Sequence, residues 1–142
     1  MTQAPNLSRR TLVLAGTSLC ATPLLVACAA RSAAAKPVSV GALFAGRVDD
    51  KGFMESGWRG LERARTELGA HTTFIDKVEP KKELLVAALT QLAQAGPDMV
   101  VAHGGQNNEA CAEVAALFPR VKFVVTQGAV TAANLASYDV LQ

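Results

Sequence analysis

From residue 38 onward the sequence alternates between short apolar runs and longer stretches with helical spacing, and that alternation leaves very few folds open. Residues 38–44 are β-rich and apolar, broken only by Ser39 and Gly41. Met54, Trp58, Leu61, Ala64 and Leu68 then recur at helical spacing, and Gly69 supplies a stop. A second strand is expected at 71–75. A second helix follows at 82–95, with Leu85, Ala88, Leu89 and Leu92 on one face. Gly96, Pro97 and Asp98 make a turn before a third strand at 99–102, apolar throughout, as expected where helices cover both faces of a parallel sheet. A third helix at 108–118 is stopped by Pro119, and strands at 121–125 and 135–141 complete the pattern. Strands alternating with helices of this length define parallel βαβ units, so the class is α/β with an open doubly wound sheet. The common five-strand order is 2-1-3-4-5. It places the topological switch between the first and third strands and directs ligands to the loops at 45–52 and 103–108.

Composition agrees with one such domain. The chain has 142 residues, half of them hydrophobic and 18% charged, which excludes a disordered chain. Aromatic residues make up only 5%, so the core must be built from Ala, Val and Leu. The net charge of +2 resides in Arg9 and Arg10, and from Cys28 onward charges balance. That leaves no basic field for nucleic acid.

The first residues read as an address. Ser8-Arg9-Arg10-Thr11 precedes an apolar stretch diluted by Gly16, Thr17, Ser18 and Pro23, and no acidic residue occurs before Asp49. A membrane-spanning helix needs about 20 strongly apolar residues, so residues 1–27 are expected to be a signal peptide. The paired arginines resemble a twin-arginine export signal, with a general secretory signal as the milder reading. Leu25-Val26-Ala27-Cys28 resembles a bacterial lipobox, in which the cysteine is lipidated and becomes the new N-terminus. Cys28 would then anchor the protein to a membrane surface, because each buried methylene of an acyl chain contributes about 0.8 kcal/mol. Residues 28–36 form a small-residue tether, and 37–142 the folded part. With Cys20 discarded and Cys28 lipidated, Cys111 stands alone in an Ala-rich helix and is expected to be a small buried hydrophobe.

The two switch-point loops carry the candidate site. Gly41 and Gly46 have the glycine spacing of a phosphate loop, but Arg47-Val48 stands where lysine and a hydroxyl residue would follow. Asp49 and Asp50 are expected either to contact a ligand or to cap the following helix, and they oppose a phosphate there. The loop suits a neutral, hydroxyl-bearing ligand. The second loop, His103-Gly104-Gly105-Gln106-Asn107-Asn108, offers backbone freedom and three amides, which match a heteroaromatic edge or sugar hydroxyls. One of its asparagines is expected to cap the third helix. No His/Cys/Asp cluster has metal-ligand spacing, so neither a metal nor a cofactor is expected.

Several segments in order resemble the basic membrane protein family. They are Val40-Gly41-Ala42-Leu43, Asp50-Lys51-Gly52-Phe53, Trp58-Arg59-Gly60-Leu61, Gly96-Pro97-Asp98-Met99-Val100-Val101 and Phe118-Pro119-Arg120-Val121-Lys122-Phe123. The family comprises lipid-anchored or periplasmic substrate-binding proteins of ABC transporters, typified by purine-nucleoside binders. The resemblance implies the N-terminal lobe of a type I periplasmic binding protein, incomplete here, with a permease as partner and a nucleoside-like ligand. It also implies that an aromatic residue of the first loop, here Phe53, stacks on the base. With the residues of the two loops, the expected ligand set is Asp49, Asp50, Phe53, Gly104, Gly105, Gln106, Asn107 and Gln127. Met54 replaces a common asparagine, and Thr126-Gln127-Gly128 stands where an acidic residue commonly follows the fourth strand. Trp58 is expected in the core. Family members continue into a hinge and a second lobe, so the chain is expected to be either a gene fragment or a short product with half a cleft. A twin-arginine-exported flavodoxin-like enzyme domain and a sensory ligand-binding domain are the alternatives.

Overall fold

The computed structural model describes residues 36–139. The proposed signal peptide, Cys20 and the lipobox ending at Cys28 lie outside the described residues. The elements are β1 (Ser39–Phe44), α1 (Phe53–Leu68), β2 (His71–Ile75), α2 (Lys82–Gln94), β3 (Met99–His103), α3 (Asn108–Leu117), β4 (Lys122–Thr126) and β5 (Leu135–Tyr138). Each matches an expected element with its ends shifted by a residue or so. The fifth strand, closing at Tyr138 rather than 141, differs most. The strand order is β2-β1-β3-β4-β5, and every pair is parallel. The switch point therefore lies where the alternation placed it, between β1 and β3.

Side chains alternate across the sheet, and the two faces are unequal. Leu43, Val100, Ala102, Phe123, Val125 and Leu135 pack against Leu85, Leu89, Leu92, Cys111 and Val114 of α2 and α3. Gly41 lets α2 come close: a Cβ there would lie 3.2 Å from Leu92. Cys111 is fully buried in this layer, and burial pushes its thiol up to about 12. The opposite face carries α1 and a smaller cluster of Ala42, Phe44 and Leu61, with Trp58 and Met54 half-buried against it. Met99 and Val101 on that face are only half-buried, so β3 is not covered on both sides as its apolar sequence implied. A hollow remains between α1 and the sheet there. Among the described residues, no helix is long and apolar enough to cross a membrane.

Register sets up the site. Phe44 pairs with His103, His103 with Thr126, and Thr126 with Tyr138. These four residues make one row across the carboxyl edge, on the face that bears α1.

Candidate functional site

The site is assembled where that row meets the first turn of α1. The helix begins after Gly52, and its free N–H groups are taken by Asp50, which accepts hydrogen bonds from the backbone of Gly52, Met54 and Glu55 at 2.8, 3.2 and 3.0 Å. The bonds from Glu55 and Gly52 hold its carboxyl below the usual carboxylate range, with a smaller contribution from Met54. These bonds give Asp50 the capping role expected of it at the helix start. Asp49 is exposed and forms a two-point pair with Arg47, at 2.8 and 2.7 Å, which lowers its pKa.

Phe53 opens α1 and is 37% exposed. Its ring stacks on the imidazole of His103, with centroids 4.0 Å apart and planes 19° from parallel. His103 is buried, and both ring nitrogens are engaged. Nε2 lies 2.9 Å from the carbonyl oxygen of Phe53, and Nδ1 lies 2.9 Å from the hydroxyl of Thr126. A carbonyl only accepts, so Nε2 carries the proton and Nδ1 accepts from Thr126. The Thr126 oxygen in turn accepts from the Gly104 N–H at 2.9 Å. Burial holds the His103 pKa below its ordinary value, which suits the neutral tautomer.

The second loop behaves differently from its expectation. Asn107 is fully buried, and its amide nitrogen donates to the carbonyls of His103 and Gly104 at 3.0 and 2.9 Å. It braces the loop from inside, where its own backbone N–H also donates to the Gly104 carbonyl at 3.1 Å. The residue that meets Phe53 across the switch is His103. Neither asparagine caps α3 with its side chain: Asn107 makes no cap bond, and the Asn108 side-chain oxygen accepts from Ala129 N–H at 3.2 Å. Gly104, at φ +105°, supplies a backbone conformation that side chains resist. Gly105 admits the carbonyl of Gln127, which a Cβ there would approach to 2.5 Å. Gln106 and Gln127 are exposed, and Gln127 holds a left-handed φ of +54°.

These residues do not all line one space. Phe53, Gly57, His103, Thr126, Gln127 and Tyr138 border a hollow of about 500 Å³ beside α1. Asp49 borders a separate one of about 550 Å³ with Lys51, Trp58 and Arg59, while Gly105 and Gln106 border a third of about 390 Å³ with Lys82. The ligand set assigned none of the roles of His103, Thr126 and Gly57. Their only signal was position: the last residues of β3 and β4 on the α1 face, and a glycine inside a helix.

A doubly wound lobe with its loops gathered at the β1–β3 switch is the architecture of ABC solute-binding proteins. Two of these solved structures resemble the chain. One, from Conexibacter woesei DSM 14684, is 26% identical with a TM-score of 0.64, covering 70% of this chain and 34% of the other. The second, from Aeropyrum pernix K1, is 28% identical with a TM-score of 0.63, covering 72% and 28%. A transcriptional activator of the comK gene from Bacillus halodurans, 22% identical with a TM-score of 0.60 over 70% of this chain and 33% of its own, shares the fold alone. No curated protein matches. Residues 37–140 match Bmp, the ABC transporter substrate-binding protein PnrA-like family, and the chain belongs to that family. It spans about a third of the length of the solved relatives.

Proposed function

We propose that the chain is the ligand-facing N-terminal lobe of an extracytoplasmic solute-binding component that captures a nucleoside or a similar small polar heterocycle and delivers it to an ABC permease. One observation carries the reading. Phe53 stands at the carboxyl edge of the switch point with one ring face on His103 and part of the ring open to solvent. A planar heterocycle stacked on the open face would gain about 0.5–1.5 kcal/mol beyond area burial. Asp50 supports a ligand without phosphate, since its carboxylate occupies the helix N-terminus that an anion would use. The same carboxylate argues against the flavodoxin-like alternative.

Phe53→Ala is expected to weaken adenosine about tenfold. Because the ring is only partly buried, the loss of folding stability should fall well short of the roughly 3–5 kcal/mol of a core phenylalanine. Adenosine titration followed by NMR, with a thermal melt of the same variant, is the test. Unchanged affinity with a collapsed melting temperature would assign Phe53 to packing and overturn the reading.

The lipobox sequence supports attachment through Cys28 to the outer face of a membrane. Cys28→Ala should shift the exported protein into the soluble fraction of lysed cells. Equal membrane retention of the variant would count against the anchor.

A further inference from the structure

Phe53 is held by a single neighbour in two independent ways. The His103 imidazole lies flat against its ring, and His103 Nε2–H donates to its main-chain carbonyl at 2.9 Å. A side chain that grips both the ring and the backbone of one residue fixes where that ring stands.

His103 is itself fixed from every side. Register places it between Phe44 and Thr126, and the Phe44 ring centroid is 5.6 Å away at an angle of 60°. Thr126 holds Nδ1 and is in turn held by the Gly104 N–H. Gly57, one turn into α1, leaves the room for the imidazole: a Cβ there would lie 2.6 Å from Nε2. The hydrogen bonds run in one direction, from Gly104 N–H to Thr126, from Thr126 O–H to Nδ1, and from Nε2–H to Phe53. They tie the loops after β3 and β4 to the first turn of α1.

We propose that His103 is a positioning residue for ligand capture, setting the orientation of the Phe53 ring on which a heterocycle stacks. The inference rests on the reading of Phe53 as the stacking surface. A ring already ordered loses less freedom when the ligand arrives, and that saving is worth about three- to tenfold in affinity for one side chain. His103 touches no ligand in this scheme. Its whole effect passes through Phe53.

The test uses the full chain, with adenosine and ribose as probes in NMR titrations, and the variants Phe53→Leu, His103→Gln, Thr126→Val and the Phe53→Leu/His103→Gln double. In the unmutated chain, His103 should show a protonated Nε2, an unprotonated Nδ1 and ring-to-ring NOEs to Phe53. Phe53→Leu should weaken adenosine about tenfold and His103→Gln about three- to tenfold. The double variant should be no weaker than Phe53→Leu alone, because without the ring His103 has nothing to position. Ribose, which lacks the base, should respond equally to the unmutated chain and His103→Gln, whereas a merely structural role would lower both probes together. If His103→Gln does not fold, Thr126→Val decides, with an expected loss of about threefold toward adenosine only. Losses that multiply in the double variant, an unaffected His103→Gln, or an Nδ1–H tautomer would overturn the inference and leave the stacking reading standing. Absence of adenosine-dependent shifts at Phe53, or an unaffected Phe53→Leu, would overturn that reading and the inference with it.

Discussion

Asn107→Asp should destabilise the protein by about 3–5 kcal/mol at neutral pH and by less in acid. The side chain is wholly buried, and its amide nitrogen donates to the carbonyls of His103 and Gly104. Its own oxygen already lacks a partner. An aspartate in its place would set an ionised carboxylate against two carbonyl oxygens with no donor to offset it. An uncompensated buried charge costs about 3–5 kcal/mol, against a total stability of about 5–15 kcal/mol for an ordinary domain. The sign with pH follows from the same geometry. Burial and the facing carbonyls raise the folded pKa of the new carboxyl above the roughly 3.9 of an exposed aspartate. Below that value both folded and unfolded chains carry the neutral acid, which can donate one of the two lost bonds. As pH rises past it, the unfolded chain ionises first, so the deficit against the unmutated protein grows until the folded pKa is passed. Urea melts of both proteins at pH 4 and pH 7 measure the difference. An equal deficit at the two pH values would show that the residue is not the buried strut described above.

The fold was legible because each element carries its own punctuation. Gly69, the Gly96-Pro97 pair and Pro119 end elements at the sequence level, and the structure ends them there, Gly69 in the left-handed conformation at φ +68°. The strand order is the common one for a five-stranded doubly wound sheet, a property of that architecture and not of particular residues. Coverage of the sheet was less legible. An apolar strand reads the same whether one or both faces are packed, and only the placement of α1 reveals that Met99 and Val101 stay half-buried.

The candidate site was legible to the level of loops but not of side chains. Phe53 and the glycine pair stand at the carboxyl edge beside the switch that topology marked, and Gln127 joins them from the loop after β4. Asn107 was assigned to a ligand because an amide suits one. That same amide also suits the carbonyls of a tight turn, and composition cannot tell the two apart. Nothing in the sequence around His103 distinguishes it from an ordinary residue at the end of a strand. Its importance comes from register, which brings Phe44, His103 and Thr126 into one row although their separations in sequence share no pattern.

That row also predicts opposite effects for one substitution at two glycines of the same helix. Alanine in place of glycine inside a helix gains about 0.8–1.0 kcal/mol from backbone propensity. At Gly60 nothing lies within 4 Å of the added Cβ, so the gain should be realised in full. At Gly57 the added Cβ would lie 2.6, 2.7 and 2.8 Å from Nε2, Cε1 and Cδ2 of His103. The imidazole cannot step aside, being hydrogen-bonded on both nitrogens and stacked on Phe53. Helix α1 must lift instead, and overpacking of this kind costs about 1–3 kcal/mol, occasionally more. The clash therefore outweighs the propensity gain at Gly57. Each kcal/mol moves the melting temperature by about 4–8 °C in a domain of this size, so Gly60→Ala should melt above the unmutated protein and Gly57→Ala below it. Gly57→Ala should also disturb the NOEs between His103 and Phe53, and Gly60→Ala should leave them intact. Shifts of the same sign in both melts would mean that α1 does not press on His103, and the close approach that orders Phe53 would have to be abandoned.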